Sequence, residues 1–209
     1  MAQVIVRHLE DETVRRLKDR ARRKGHSLEQ ELREILAAAA RQDMAEFKAR
    51  AAAIRARLRG HAADRQHAAP TRRPRPVNLV IDASVAIKWF APEVLSREAE
   101  RLLDGGDVLF APDFLLVECG YIIWKKVRLG ELTRSDGDDA VAALRSGPLD
   151  LVDTASFVER ALHLAHEIDH PLYDCLYLAT AEVFETTVVT ADRRFFDRCS
   201  QSIMRSRVT

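Results

Sequence analysis

Short apolar runs alternate with helical patterns through the C-terminal two thirds of the chain. The runs lie at residues 78–81, 108–111, 149–152 and 187–190, and the helical patterns at 114–127, 134–144, 157–168 and 173–185. Strands that alternate with helices indicate a parallel sheet covered on both faces, with any site at the C-terminal ends of the strands. We therefore expect an α/β sandwich in which Asp82 and Asp192 directly follow two strands.

The N-terminal 45 residues show a different pattern. Residues 2–9 form a strand candidate, and the first helix that follows ends at Gly25. Ser27 is a good N-cap for a second helix, because its hydroxyl can accept an otherwise unpaired N–H. A strand and two helices in about 45 residues bury too little surface alone, so we expect at least a dimer. The second helix is expected to bury an apolar stripe of Leu28, Leu32, Ile35, Leu36 and Ala39.

A third apolar stripe precedes a proline-containing segment. Its opposite face carries Lys48, Arg50, Arg55 and Arg57, which is typical of a helix that lies in a partner's groove. The stripe consists of Met44, Phe47, Ala51, Ile54 and Leu58. Residues 60–76 include three prolines and no apolar periodicity, so they are interpreted as a linker. The predicted segments are therefore 1–43, 44–59, 60–76 and 77–209.

Charge divides the chain at the same place. Residues 1–76 carry 19 Lys and Arg against 10 Asp and Glu, whereas residues 77–209 carry 14 against 22, so a net charge of +1 hides two modules with different partners. Three cysteines without a C-x-x-C pair argue against a disulfide framework or a structural zinc site. No apolar run approaches 18 residues and no signal-peptide core is present, so a cytoplasmic protein without a membrane partner is expected.

The N-terminal segments VIVRHL (4–9), RARRKGHSLEQELREIL (20–36) and MAEFKARAAAIRARL (44–58) resemble the FitA/VapB-type ribbon-helix-helix antitoxins. The resemblance implies that two chains pair their strands into a ribbon in the DNA major groove, while Ser27 and the start of the second helix hold a phosphate. A basic segment and a helix N-terminus both suit phosphate.

The phase of this strand leaves the DNA-reading residue open. If Leu9 faces the core, alternation turns His8 toward DNA and Arg7 inward, whereas a twist near the strand end would bring Arg7 to a base edge. We favour Arg7 for DNA binding, followed by His8. For either residue taken singly, a purely structural role in the strand agrees with the sequence about as well as a DNA contact does.

Four C-terminal segments resemble the VapC-type PIN-domain ribonuclease toxins: VNLVIDASVAIKWFAPE (77–93), PDFLLVECGYIIWKKVRLGELT (112–133), YDCLYLATAE (173–182) and TADRRF (190–195). The resemblance implies a PIN-like α/β/α sandwich, Mg²⁺ or Mn²⁺ as cofactor and RNA as substrate. It also implies that Asp82, Glu118, Asp174 and Asp192 are catalytic and bind the metal. Supporting hydroxyls are implied at Ser84 and Thr190, and Tyr121 stands where many relatives have asparagine.

The chemistry of four converging acids agrees with a metal. Two carboxylates about 4 Å apart repel by roughly 4 kcal/mol at an effective dielectric near 20, so a cation or protons must compensate them. Each aspartate taken singly is more simply a helix cap, but Glu118 lies in an apolar helix stretch where an unpartnered charge is costly. His163, His166 and His170 have no carboxylate in matching register and are interpreted as surface or core residues, and Cys119 and Cys175 as packing residues.

Three functions follow. The leading one is a toxin–antitoxin fusion, in which a metal-dependent endoribonuclease is held inactive by its own antitoxin segment, which also binds operator DNA for autorepression. Arg72, Arg73 and Arg75 are candidate inhibitory arginines, because a guanidinium can pair with carboxylates in place of the cation. The alternative is a DNA-binding repressor with a silent PIN domain that serves for assembly, including PIN–PIN contacts. An aspartyl-phosphate hydrolase is third, since Asp82-Ala83-Ser84-Val85 lacks the second aspartate of that motif.

Overall fold

The computed structural model of the chain describes residues 8–58, 77–201 and 208–209. The chain divides into two compact units, Met1–Ala45 and Glu46–Thr209. Residues 1–7 and 59–76 lie outside the described part, and with them most of the predicted strand, Arg7 and the three candidate inhibitory arginines. Nothing that the structure describes is both long and apolar enough to cross a membrane as a helix.

The first unit contains helix α1 (Asp11–Arg23) and the beginning of helix α2 (Leu28–Leu58). Gly25 has φ 70°, which a glycine adopts without strain and which lets the chain reverse between the helices. The residues of the predicted amphipathic helix at 44–59 are helical as far as Leu58, but they continue α2 without a break. The reason is local: residues 37–45 contain five alanines and no glycine or proline, so helix propensity stays high where the apolar stripe changes face.

Among the described side chains of the first unit, those of Ala21 and Glu31 are buried. The predicted burial of Leu36 is wrong for the single chain, since 53% of that residue is exposed, and Leu9 is also exposed. Two helices offer each other only one face, so they cannot enclose a stripe as wide as the one in α2. Apolar surface is therefore left for a further element to cover.

The second unit contains the predicted parallel sheet. Its strands are β1 (Asn78–Ile81), β2 (Val108–Pro112), β3 (Leu149–Val152) and β4 (Thr187–Val189), in the order β3-β2-β1-β4. Register pairs Val80 with Phe110 of β2 and with Val188 of β4. The central strand β1 is apolar and buried from Leu79 onward because helices cover both faces of the sheet. The predicted α/β fold is confirmed.

Helices connect the strands and form the outer layers. They are α3 (Ala83–Ala86), α4 (Ser96–Leu102), α5 (Leu115–Arg128), α6 (Arg134–Ser146), α7 (Val158–Ile168), α8 (Leu172–Val183) and α9 (Arg193–Ser200). Short 3₁₀ turns at Ile87–Trp89 and Thr154–Phe157 complete the connections. The chain leaves β1 toward β2 but returns on its other side as β4, so the strand order reverses between β1 and β4. Ligands of open α/β sheets bind at such a reversal.

Candidate active site

Asp82 lies at the reversal point, directly after the buried strand β1. Its side chain caps α3, and its Oδ2 accepts hydrogen bonds from the Ser84 hydroxyl at 2.6 Å and from the Thr190 hydroxyl. Only 3% of the residue is exposed. Burial raises the pKa of the Asp82 carboxyl above its ordinary value, and the negative charge of Asp192 raises it further, against the lowering effect of the two hydroxyls.

The two hydroxyls predicted as supporting groups join the ends of β1 and β4. Ser84 Oγ lies 3.3 Å from Thr190 Oγ1 and accepts the Ala191 N–H at 2.9 Å. Thr190 Oγ1 accepts the Asp192 N–H at 3.0 Å. Asp82 and Asp192, 110 positions apart in the chain, are therefore tied to one small network.

Glu118 enters from α5, on a turn that also places Leu115 and Cys119 in the core. The Tyr177 hydroxyl donates to Glu118 Oε2 at 2.8 Å, from a ring that is fully buried in α8. Burial, and then the charges of Asp82, Asp174 and Asp192, raise the pKa of Glu118 from 4.5 to about 7. Sequence reasoning missed Tyr177, because a tyrosine within an apolar helical pattern gives no sign that its hydroxyl meets a carboxylate.

Asp174 enters from the first turn of α8. His170 Nε2 lies 2.7 Å from Asp174 Oδ2, so the prediction that His170 has no carboxylate in matching register is wrong. The i, i+4 spacing of His170 and Asp174 in the sequence could have indicated this contact. His170 precedes α8, and its ring packs on Phe195 at a centroid distance of 5.2 Å. Burial and the Asp82 charge raise the pKa of Asp174, while His170 lowers it. His163 and His166 are exposed on α7.

Asp192 is the exposed member of the set. Its Oδ1 accepts the N–H groups of Arg194 at 2.7 Å and Phe195 at 3.1 Å. Asp192 therefore caps α9, which is the role that the sequence predicts for each aspartate taken singly. Its charge nevertheless raises the pKa of the other three acids. The structure therefore brings Asp82, Glu118, Asp174 and Asp192 into one electrostatic cluster, the acid cluster.

The donor chemistry of the acid cluster fits a hard divalent cation. Four carboxyl groups come together, and burial raises the pKa of three of them, with a further rise from the charge of neighbouring carboxylates. Mg²⁺ prefers oxygen ligands and keeps several waters. Carboxylates that hold it therefore do not need to touch one another. In the part of the chain that the structure describes, the group whose ligand atoms all lie within 4.8 Å of one another is a different one: His26, Glu31 and Glu34.

That second group already has its own cations. Lys24 Nζ lies 2.9 Å from Glu31 Oε1 and 3.7 Å from Glu34 Oε2, and Arg20 also pairs with Glu31. The hydrogen bond from Lys24 and the charges of Lys24 and Arg20 lower the pKa of Glu31. The buried Glu31 carboxylate is thus neutralised within the first unit, in contrast to the acid cluster.

Stability should depend on pH through Glu118. Because its pKa is raised from 4.5 to about 7, the metal-free folded chain binds this proton more tightly than the unfolded chain does. The protonated Glu118 therefore contributes its full stabilisation below pH 4.5. As pH rises from 4.5 to 7, the free energy of unfolding should fall by about 2 kcal/mol, after allowance for solvent screening. Urea unfolding in EDTA should show this fall, and Glu118→Gln should reduce it, whereas the exposed Glu159→Gln should not. Equal slopes in all three chains would contradict the assignment.

The three cysteines are buried and lie among negative groups. Burial raises the pKa of the Cys175 thiol to about 12 and of the Cys199 thiol to about 11, and it raises the pKa of Cys119 as well. Thiols that remain protonated are poor nucleophiles. This agrees with the interpretation of Cys119 and Cys175 as packing residues.

The predicted DNA-facing residues are only partly described. Ser27 Oγ accepts the Gln30 N–H at 3.1 Å, so its hydroxyl caps the start of α2. His8 is exposed and has φ 61°, and it lies outside any strand of the described chain. Arg7 lies outside the described residues.

The C-terminal part of α2 packs within the second unit. Phe47, Ala51 and Ile54 of the predicted toxin-contacting stripe are buried, whereas Met44 and Leu58 are partly exposed. The Phe47 ring meets Trp89 and Phe90 edge-on, at centroid distances of 5.5 and 5.7 Å.

Ion pairs surround this apolar contact. Arg57 Nε lies 2.6 Å from Asp136 Oδ1 of α6, and Lys48 Nζ lies 2.6 Å from Asp104. Arg55 donates to the Trp89 carbonyl and lies 3.2 Å from Glu100. The basic face of the helix thus meets acidic groups of the second unit.

Two family models match the chain. A PIN-domain model matches residues 79–200, and a model of the FitA-like ribbon-helix-helix antitoxins matches residues 2–40. The chain belongs to the PIN-domain family and carries an N-terminal FitA-like antitoxin domain. The predicted resemblance to a fusion of the two is confirmed, and the pairing is of the toxin–antitoxin type.

Comparison with solved structures supplies a similar chain. The crystal structure of PAE2754 from Pyrobaculum aerophilum is 22% identical over 58% of this chain and 79% of its own, with a TM-score of 0.46. A search of curated proteins found no significant match.

Proposed function

We propose that the chain is a metal-dependent endoribonuclease that is held inactive by its own antitoxin segment. The observation that carries the proposal is the acid cluster, whose four carboxyl groups come from four elements of a PIN domain; burial, and then the charge of neighbouring carboxylates, raises the pKa of Asp82, Glu118 and Asp174. A divalent cation bound there would supply an activated water and would offset negative charge on an RNA phosphodiester. Mg²⁺ and Mn²⁺ both suit the oxygen ligands.

The residues of the chain have separable roles in this proposal. Asp82, Glu118, Asp174 and Asp192 would hold the cation. Ser84 and Thr190 fix the Asp82 carboxylate by donating to one of its oxygens, and Tyr177 and His170 orient Glu118 and Asp174. Because these partners already fix the side chains, little ordering would remain to be done when the cation and the phosphodiester bind.

Inhibition is assigned to the contact made by the second half of α2. The buried face of Phe47, Ala51 and Ile54 and the flanking ion pairs support a stable association. Since the helix belongs to the same chain, dilution would not release it as it would a separate antitoxin. Arg72, Arg73 and Arg75 remain candidates for a direct contact with the acid cluster.

The antitoxin domain is proposed to bind operator DNA as a dimer in the cytoplasm. The positive charge of residues 1–76, the capped start of α2 at Ser27 and the exposed Leu9 and Leu36 support a paired, phosphate-binding module. Arg7 would read a base and Ser27 would hold a phosphate.

RNA cleavage by the purified chain tests the nuclease proposal. The chain is assayed in Mg²⁺ and in Mn²⁺, before and after protease nicking in the 60–76 linker and separation of the pieces, with Asp82→Asn treated identically. Cleavage that appears on separation and is lost in the variant supports the proposal. A folded PIN piece that never cleaves favours a DNA-binding repressor in which the PIN domain serves for assembly.

A further inference from the structure

A row of exposed apolar side chains follows one face of α5, next to the acid cluster. Val117, Tyr121 and Trp124 are spaced i, i+4 and i+7, and they are 66%, 58% and 51% exposed. Glu118 of the acid cluster directly follows Val117, and Tyr121 stands one turn further along. We call the surface formed by Val117, Tyr121, Trp124, Lys125 and Arg128 the aromatic ledge.

The rings of the ledge are arranged as a stack with cations over it. Tyr121 and Trp124 lie 5.7 Å apart between ring centroids, with planes inclined by 22°. Lys125 Nζ is 5.4 Å from the centre of the Tyr121 ring, and the Arg128 guanidinium carbon is 5.1 Å from the Trp124 ring. Within the described residues, neither cation forms an ion pair with a carboxylate, so both remain able to meet an anionic ligand.

The opposite face of α5 is occupied. Ile123 and Val127 of that face pack against Gly137 of α6, where a Cβ atom would come within 2.8 Å of the Ile123 side chain. The inhibitory contact described above also reaches α6, through Arg57 and Asp136. Among the described residues of the second unit, the ledge therefore stays exposed while the C-terminal part of α2 is docked.

We propose that the aromatic ledge binds unpaired nucleotides of the RNA substrate and leads the strand into the acid cluster. The inference rests on the proposed nuclease function and deepens it, because it assigns the substrate as single-stranded at this place. Exposed aromatic rings stack with unpaired bases, arginine and lysine meet the phosphates, and paired bases in a duplex are closed to such stacking.

Charge favours RNA over a second copy of the chain as occupant. A two-fold contact between copies would place this patch against itself, so the positive charges of Lys125 and Arg128 from both copies would be gathered in one interface. A polyanion with flat bases satisfies both features of the ledge. Contact between copies is therefore an alternative outcome of the test.

Tryptophan fluorescence of the full chain in EDTA tests the ledge without metal or cleavage. The sequence has two tryptophans, of which Trp89 is fully buried and Trp124 is half exposed, so added oligonucleotide should quench Trp124. A ten-nucleotide single-stranded RNA should quench emission saturably, and an RNA duplex of the same length should do so far less. Trp124→Phe should remove the signal, which identifies its source.

Tyr121 provides the quantitative variants. Tyr121→Ala should raise the RNA concentration for half-maximal quenching about tenfold, because a stacking partner is lost, whereas Tyr121→Phe keeps the ring and should leave it unchanged. Val94→Ala, at an 83% exposed position, is the matched surface control.

Three results would overturn the proposal that the ledge binds RNA. They are no quenching, the same RNA concentration for half-maximal quenching in Tyr121→Ala and the parent chain, or Trp124 emission that depends on protein concentration in the absence of RNA. Quenching without cleavage in any later metal assay would retain the ledge and reject the nuclease. Cleavage without quenching would reject the ledge alone.

Discussion

Replacing Phe47 and Ile54 together with aspartate should switch on RNA cleavage by the intact chain. Both side chains are buried against the PIN domain, and Phe47 packs on Trp89 and Phe90. Removing a buried aromatic side chain alone costs about 3–5 kcal/mol, and two unpaired carboxylates in the same contact add a desolvation penalty. Each 1.4 kcal/mol is a factor of ten in the docked population, so activity should rise on the order of a hundredfold or more. Cleavage of labelled RNA in Mg²⁺ and Mn²⁺ measures it.

The matched control places two aspartates on the exposed face of the same helix. Ala52→Asp with Ala53→Asp adds the same charge and lowers the helix propensity at least as much, yet both positions are exposed, so the chain should stay inactive. Circular dichroism and thermal unfolding of both variants establish that the PIN domain remains folded. If the buried pair leaves a folded but inactive enzyme, docking of α2 does not cause the inhibition, and the linker arginines become the next candidates.

Asp82→Asn should abolish the released activity, by a factor on the order of a thousand. Asp82 is the most buried acid of the cluster and the one to which both Ser84 and Thr190 donate. An amide keeps the shape but removes the charge that would attract the cation, and metal catalysis of this kind contributes several kcal/mol. Titration with Mn²⁺ should show weakened binding in parallel, which separates loss of the cation from loss of the fold.

Two further variants sharpen the comparison. Asp150→Asn changes an exposed aspartate on the edge strand β3 and should cleave at the rate of the released parent. Ser84→Ala removes one donor to Asp82 and should give an intermediate loss, because the Thr190 hydroxyl still holds the carboxylate. Undiminished cleavage by Asp82→Asn, with the control behaving as expected, would reject the acid cluster as the active site.

The strands of the PIN domain were accessible from sequence because their signal is local. The four apolar runs predicted at 78–81, 108–111, 149–152 and 187–190 agree with β1 to β4 within a residue. Each run is short, mostly apolar and bounded by helical patterns, and in the central strand β1 burial from Leu79 onward produces the apolar run. Failures arose where local signals conflicted, as in α2, where high helix propensity across 37–45 joined two predicted helices into one.

The sequence by itself determined the identity of the four acids, the two hydroxyls beside Asp82 and the division of charge along the chain. These depend on residue type and order, which folding does not alter. Only the tertiary structure decided the surroundings of the acids: the Tyr177 hydroxyl on Glu118, His170 on Asp174 and the exposed stack of Tyr121 and Trp124. Such contacts join different elements or depend on which face of a helix is left uncovered. Periodicity along one segment does not specify what packs against it, so only the folded chain decides them.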